Sequence, residues 1–396
     1  MASRLSSTSR PAAWHIITAE YPPQPGGVSD YVRQVARALA GLGHEVHVWA
    51  PPVNGPLLDG DSVAVHRLPA RFSPAALRAL RKGLDASPGP RRILVQWVPG
   101  AFGLNGMNIL FPLSIALRRV DRVWIMYHEY AYPLGWRLKP AHNLLGLVTP
   151  ITSGILAWRA DRIFVSTPSW IRRIPKLLRA PARRPITCLP IPSNVSSVHD
   201  PARAAEIRSR LLSGGSRWLL GHFGTYGPAI SDMLRAIAPA LLARGDRTLL
   251  LLGRGSDRFA ADLLREKPHL SASLVAPGGL PEPELANHLR ACDLLVQPYE
   301  DGVTSRRGTL MAGLALGLPV VTNSGPLAEA SFAQEGAVRM APDPDPESIV
   351  AAVEEVLGDA ALRAAIATRG RAFYESRFSL QHTLAVLRET AGREDA

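Results

Sequence analysis

Leu294-Leu295-Val296-Gln297-Pro298-Tyr299, then Glu300-Asp301-Gly302-Val303-Thr304-Ser305-Arg306-Arg307-Gly308, then a short Leu/Ala-rich run, then Gly317-Leu318-Pro319-Val320-Val321-Thr322 reads as strand, polar loop, helix, strand. The loop stands where the strand hands over to the helix. In a parallel α/β sheet that is the carboxyl edge, where ligands bind. Two adjacent acids, a hydroxyl pair and two adjacent arginines precede a helix start. Arginine forks and the orphan N–H groups of a helix start suit a phosphate. The acids suit sugar hydroxyls, so the loop suits a ligand that carries both, such as a nucleotide-sugar.

Working outward, the same alternation recurs on both sides. Upstream, strands read as Trp14–Ala19, 44–50, Ile93–Val98, Val123–His128 and Arg162–Ser166. The helix from Ser29 carries Val28, Tyr31, Val32, Val35, Leu39 and Leu42 at helical spacing, and Gly43 stops it. A second half opens near Trp218, with strands at Trp218–Gly224, Thr248–Gly253, Ala272–Gly278, Leu294–Tyr299, Pro319–Thr322 and Val338–Ala341. Helices fall between them at Ser231–Arg244, Arg258–Lys267 and Pro283–Ala291, and a long helical stretch runs from Pro346 to Glu389. Ser193–Ser216 reads as linker plus short helix. The fold class is therefore α/β with parallel sheets, as two domains in series with a cleft between them.

Composition sets the outer limits. The chain has 396 residues, enough for two domains, and its 46% hydrophobic and 20% charged residues predict a folded core. Cys188 and Cys292 sit in apolar surroundings in no metal-like spacing, and read as buried free thiols in a reducing cytoplasm. The formal net charge is +12, but the basic residues are scattered pairs (Arg91-Arg92, Arg118-Arg119, Arg172-Arg173, Arg183-Arg184), not one stripe with aromatics. No nucleic acid is expected; an anionic membrane surface or a phosphorylated acceptor fits the charge better. No run reaches the ~18 apolar residues of a membrane span. The longest, Leu144 to Ile151 continuing to Trp158, reads as a core helix, with a helix lying on a bilayer as the alternative. Residues 1–13 read as a tail rather than a signal sequence.

Other chemistry-bearing residues cluster at expected strand ends. Tyr21-Pro22-Pro23-Gln24-Pro25-Gly26-Gly27 precedes a helix, and Gly26 and Gly27 let backbone come close to a ligand. His128, before Glu129, ends a strand and suits a sugar hydroxyl or developing charge. Thr225 and Tyr226 follow Phe223-Gly224; Arg254 follows Gly253; Gly279 and Leu280 follow Pro277-Gly278. There is no H-x-x-x-H pairing, Cys/His cluster, P-loop or G-x-S-x-G, so neither a metal nor an acyl-transfer mechanism has support.

These residues resemble the GT-B glycosyltransferases of the large retaining group called family 4. The resemblance runs from Trp14 to Leu387 and rests on Pro22-Pro23-x-x-Gly26-Gly27, Gly43-His44-Glu45-Val46, His128-Glu129, Ser166-Thr167-Pro168-x-Trp170, Leu189-Pro190-x-Pro192-Ser193-Asn194, Asp293-Leu294-Leu295-x-Gln297-Pro298-Tyr299 and Gly317-x-Pro319-Val320-Val321. Tyr374–Ser379 resembles the lead into a last helix that crosses back to the first domain. The resemblance implies two Rossmann-like domains with parallel sheets facing across a cleft: a tail at 1–13, an acceptor domain at 14–195, a nucleotide-sugar domain at 196–375 and a crossing helix at 376–396. It implies transfer of a sugar from a nucleotide diphosphate sugar, UDP- or GDP-type, to an acceptor hydroxyl on a saccharide, a lipid-linked chain or a small molecule. Such transfer is metal-independent, needs no cofactor and retains the anomeric configuration. Cysteine usage, the basic charge and the apolar stretches around Phe111 and Leu144 add the expectation of a cytoplasmic protein, or one at the inner face of the membrane with peripheral contact.

The resemblance assigns His128, Glu300 and Asp301 to catalysis. It sets Gly27 near the diphosphate and the loop carrying Thr304, Ser305, Arg306 and Arg307 around sugar and phosphate. The strand-end readings above add Gly26, Thr225, Tyr226, Arg254, Gly279 and Leu280, and the helix start adds Gly308, as donor-binding candidates. Two departures stand out. The family's ribose-gripping Glu falls on Ala312, and its Arg and Lys after the Phe-Gly strand are absent from Thr225–Ser231. Arg306 and Arg307 are expected to take over the phosphate charge. The alternative is a catalytically degenerate GT-B protein acting as a binding or regulatory subunit; another reaction on the same fold, such as epimerisation, is a third reading.

Overall fold

A computed structural model describes residues 13–53, 62–89, 91–132, 134–135, 139–171, 174 and 185–395. The chain divides into two compact units, one of residues 1–190 with 383–396, the other of 191–382. The Arg172-Arg173 and Arg183-Arg184 pairs, and the expected tail except Ala13, lie outside the described residues.

The first unit is a seven-stranded parallel sheet in the order β3-β2-β1-β4-β5-β6-β7. Its strands are β1 (Ala13–Thr18), β2 (Val46–Ala50), β3 (Ala64–Arg67), β4 (Arg91–Trp97), β5 (Arg122–Tyr127), β6 (Arg162–Val165) and β7 (Ile186–Cys188). Helices α1 (Gly27–Gly41), α2 (Pro74–Ala86), α3 (Leu110–Ala116) and α4 (Pro140–Arg159) lie between them. β3, β7, α2 and α3 were not expected. The two strands are short and half-exposed at the sheet edges, so they lack the continuous apolar run of a central parallel strand such as Ile93-Leu94-Val95. The last helix of the chain belongs to this unit too. Glu394 accepts a hydrogen bond from Trp124 Nε1 at 3.1 Å and pairs with Arg162 at 3.1 Å.

The arginine pairs resolve into separate structural roles. Arg92 is buried between the rings of Trp14 and Trp124, with its guanidinium carbon 5.0 and 5.2 Å from their centroids. Arg91 and Arg118 both hold the buried Asp121, at 2.6 and 2.5 Å.

The second unit opens with α5 (Pro201–Leu211) and forms a six-stranded parallel sheet ordered β10-β9-β8-β11-β12-β13. Its strands are β8 (Trp218–Phe223), β9 (Arg247–Leu252), β10 (Leu274–Gly278), β11 (Leu294–Gln297), β12 (Val320–Asn323) and β13 (Arg339–Ala341). Helices α6 (Pro228–Leu242), α7 (Ser256–Glu266), α8 (Glu282–Ala291) and α9 (Gly308–Ala315) connect them. The expected long helix from Pro346 is three: α10 (Pro346–Gly358), α11 (Ala360–Arg377) and α12 (Leu380–Asp395). Asp359 ends α10 and caps α11, its side chain accepting from the N–H groups of Ala361 and Leu362.

Each sheet reverses its strand order once, beside β1 and β4 in the first unit and beside β8 and β11 in the second. Those are the positions where an open α/β sheet leaves a crevice at its carboxyl edge. Cys292 is buried as expected, whereas Cys188 is only half-buried on the edge strand β7.

Candidate functional site

In the second unit the β11–α9 loop is clamped by a second loop. Asn323, at the end of β12, accepts from the N–H of Tyr299 (2.8 Å) and donates to its carbonyl (2.7 Å). Gly302 has φ +85°, and a Cβ there would stand 2.7 Å from the backbone nitrogen of Gly325. That close approach demands glycine. The N–H groups of Leu327 and Glu329 donate to the carbonyls of Asp301 and Val303 at 2.8 and 2.9 Å. Ser305 then donates from its N–H and its Oγ to one carboxylate oxygen of Glu329, at 3.0 and 2.8 Å. Glu329 is half-buried, and burial raises its carboxyl pKa.

This clamp corrects the picture of a simple display loop. Thr304 and Ser305 are buried, and the Ser305 hydroxyl is committed to Glu329. Asp301 is paired with Arg307, whose guanidinium lies 4.5 Å from the Tyr299 ring centroid. The loop therefore compensates part of its own charge, with one Asp301 carboxylate oxygen engaged by Arg307. Glu300 and Arg306 are exposed, and Gly308 begins α9. Ala312 is fully buried in the core, so a carboxylate could not be placed there without burying its charge.

The other strand ends of this unit divide. Arg254 is exposed, and a Cβ on Gly279 would lie 3.3 Å from its Cγ, so the ends of β9 and β10 bring these two residues together, with Leu280 half-buried beside them. Thr225 is exposed. Tyr226 has φ +55°, its hydroxyl donates to the Leu252 carbonyl at 3.0 Å, and its ring stacks on Phe259. It pins β8 to β9 rather than offering its hydroxyl to a ligand. Gln297, at the end of β11, is fully buried, and neither amide atom has a hydrogen-bond partner among the described residues. An amide so placed marks either a water site or a ligand contact.

In the first unit His128 follows β5. Its N–H donates to the Trp97 carbonyl at 3.0 Å, and Nε2 lies 2.8 Å from Gln96 Oε1, an acceptor for a proton on Nε2. The Tyr31 ring meets it edge-on at 5.2 Å. At the start of α1, the N–H groups of Val28 and Ser29 both donate at 3.1 Å to Glu20 Oε1. A Cβ at Gly26 would strike that carboxylate at 2.5 Å, while at Gly27 it would meet nothing within 4 Å. The anion seated on this helix start is the chain's own Glu20, and the close approach that Gly26 allows is to it. Gly27 keeps open space.

Gln96, Glu20 and Glu329 were not anticipated. Glu20 and Gln96 stood inside or beside apolar strands, and Glu329 lies beyond β12. The one signal that could have raised Glu329 is its position at the carboxyl end of the strand next to β11.

Residues 26–190 match the family described as glycosyl transferase 4-like domain, and residues 219–359 match glycosyl transferases group 1. A GDP-mannose-dependent alpha-mannosyltransferase of Mycolicibacterium smegmatis is 27% identical over 331 residues, covering 77% of this chain and 78% of that protein. Among solved structures, sucrose-phosphate synthase from Thermosynechococcus elongatus aligns with a TM-score of 0.71 at 16% identity, covering 96% of this chain and 98% of that one. Anabaena HepE in complex with UDP aligns at 0.67 and 14%, covering 96% and 100%. The chain belongs to the group 1 glycosyltransferases, built on the GT-B fold of two Rossmann-like domains.

Proposed function

We propose that this glycosyltransferase moves a hexose from a nucleotide diphosphate sugar to an acceptor hydroxyl, with retention and without a metal ion or resident cofactor. The observation that carries this reading is the clamped β11–α9 loop, which presents Arg306 and the start of α9 at the carboxyl edge of the second sheet, on the strand flanking its switch point. In this reading Arg306, Arg307 and the α9 start meet the diphosphate, while Arg254, Gly279 and Leu280 meet the nucleoside. The positive charge of Arg306, Arg307 and the α9 start supplies what a metal would otherwise supply to the departing diphosphate. His128, with Nε2 beside Gln96 Oε1, suits a sugar hydroxyl at the carboxyl edge of the first sheet. A front-face route needs no protein nucleophile, and none of these residues is placed as one.

The relatives support a UDP- or GDP-type donor. The mannosyltransferase is named for GDP-mannose, and HepE was solved with UDP. The acceptor is a hydroxyl on a saccharide, a lipid-linked chain or a small molecule, in polysaccharide, glycolipid or glycoside synthesis at the cytoplasmic side. No helix among the described residues is long and apolar enough to cross a membrane.

A second reading, a binding or regulatory subunit without turnover, is favoured by the buried Ala312 and by the Arg307–Asp301 pairing. Calorimetry with UDP and GDP, followed by donor turnover with EDTA present, tests both. Selective binding with EDTA-resistant turnover supports transfer; binding without turnover for any donor supports the second reading; no binding to either nucleotide overturns both.

A further inference from the structure

All but three of the exposed large apolar side chains among the described residues lie in two segments, 104–120 and 134–158; the exceptions are Leu42, Val198 and Leu327. These segments carry α3 and α4, which pack against each other in the first unit. Large apolar residues stand on both faces of α4. Leu144, Leu147, Ile151 and Trp158 recur at helical spacing, and all are 48% to 59% exposed. The inward face is mixed: Leu156 and Ala157 join the core there, beside the buried Thr149, Thr152 and Ser153. On α3, Leu110 and Leu113, with Leu117 just beyond its end, are exposed too, while Phe111 and Ile115 enter the core. The core expectation for this stretch holds for Leu156 and is corrected for Leu144, Leu147, Ile151 and Trp158, which point outward. A contiguous apolar face of this kind marks an interaction surface.

The inner polar groups are all used. Ser153 Oγ accepts from Trp97 Nε1 at 2.8 Å, the Tyr127 hydroxyl donates to the Ser153 carbonyl at 2.7 Å, and Thr149 Oγ1 accepts from the Tyr132 N–H at 3.0 Å. The helix is therefore held in this orientation by the ends of β4 and β5 and by the segment after His128.

The charge around this face is one-sided. Residues 101–120 and 130–160 contain no Asp or Glu. Exposed cations stand at both ends of α4: Lys139 before it, and Arg119 and Arg122 beside Trp158 at its far end, where they line a shallow cleft. Asp121 and Asp161, which also line that cleft, are engaged by Arg91 and Arg118 and by Arg159.

We propose that the α3–α4 face docks the protein onto a bilayer surface rich in anionic phospholipid. The leucines and Ile151 enter the acyl boundary, Trp158 sits at headgroup depth, and Lys139, Arg119 and Arg122 meet lipid phosphates. A second copy of the chain is disfavoured as occupant, because apposing two such faces brings like-charged rims together on a protein of net charge +12. The inference stands apart from the reaction assigned above, because its test reads lipid alone.

The test is co-sedimentation of the full chain with vesicles of phosphatidylcholine alone and of phosphatidylcholine with an equal share of phosphatidylglycerol, at low and high salt. Binding to the anionic vesicles at least tenfold above the neutral ones at low salt is expected. Leu147→Glu/Ile151→Glu and Arg119→Glu/Arg122→Glu should each reduce it at least tenfold, with melting temperatures showing folded protein. Leu147→Ser/Ile151→Ser is the milder pair should the glutamates unfold the chain. Quenching of the Trp158 fluorescence by brominated lipid, as the signal lost in Trp158→Phe, places the face in the bilayer. No association with anionic vesicles, or association indifferent to every folded variant, overturns the proposal. So does a dimer that these variants dissociate while lipid binding is absent.

Discussion

One carboxylate oxygen of Glu329 accepts two hydrogen bonds from Ser305, from the N–H at 3.0 Å and from Oγ at 2.8 Å, and so fixes the last turn before α9. Burial raises the Glu329 carboxyl pKa, with the two Ser305 bonds opposing. A raised pKa means that folding favours the protonated acid: stability rises as pH falls through the folded value, and the charge costs stability above it. Glu329→Gln, neutral and still an acceptor, is expected to match or exceed the wild type at pH 7. Glu329→Ala leaves both Ser305 donors without that acceptor and should cost about 1–3 kcal/mol. Chemical denaturation of the two variants measures both effects.

Arg306 and Arg307 differ in their settings. Arg306 is exposed, and Arg307 is bound to Asp301 over Tyr299. If both meet diphosphate, the double variant Arg306→Ala/Arg307→Ala should weaken nucleotide binding at least tenfold, or about 1.4 kcal/mol. A calorimetric affinity within a few-fold of the wild type removes their phosphate role.

Gln96 Oε1 sits 2.8 Å from His128 Nε2. Gln96→Glu places a carboxylate there, which favours the imidazolium and raises the His128 pKa. The acid limb of the activity profile should move to higher pH, and the His128 NMR titration should move with it. A histidine titration that does not respond refutes the coupling. Gln96→Leu removes the proton anchor and should lower kcat more than it alters KM.

His15 in the first unit and His222 in the second are both held down to about 4 from the ordinary 6.5, chiefly by burial. Between those values the unfolded chain binds protons that the folded chain refuses. Stability is full above pH 6.5 and lost as pH falls toward 4, on the order of 3 kcal/mol per group. The denaturation free energy should fall across this window, and His222→Leu should flatten the fall for the second unit. An unchanged slope in that variant would show that His222 titrates normally.

Local pattern carried much of the fold. Runs such as Thr248–Leu252 and Ile93–Val95 are apolar over a strand's length because both sheet faces are covered, and Gly43, with φ +85°, ends α1 where a helix stop was expected. Edge strands β3 and β7 were missed because an edge strand carries no such run. The place of the 300–308 loop between a strand and a helix was legible, since the flanking patterns are both local.

By itself the sequence determined the two α/β halves, the parallel sheets and the family, because periodicity, turn residues and motif spacing are properties of neighbours along the chain. Only the tertiary structure decided the partners. Ser305 is bound to a carboxylate 24 residues away, His128 to an amide 32 residues away, and the α1 start to Glu20 rather than being left open. It also decided which way α4 faces. Its inner groups bond to the ends of β4 and β5, and that long-range geometry turns Leu144, Leu147, Ile151 and Trp158 outward while Leu156 stays in the core.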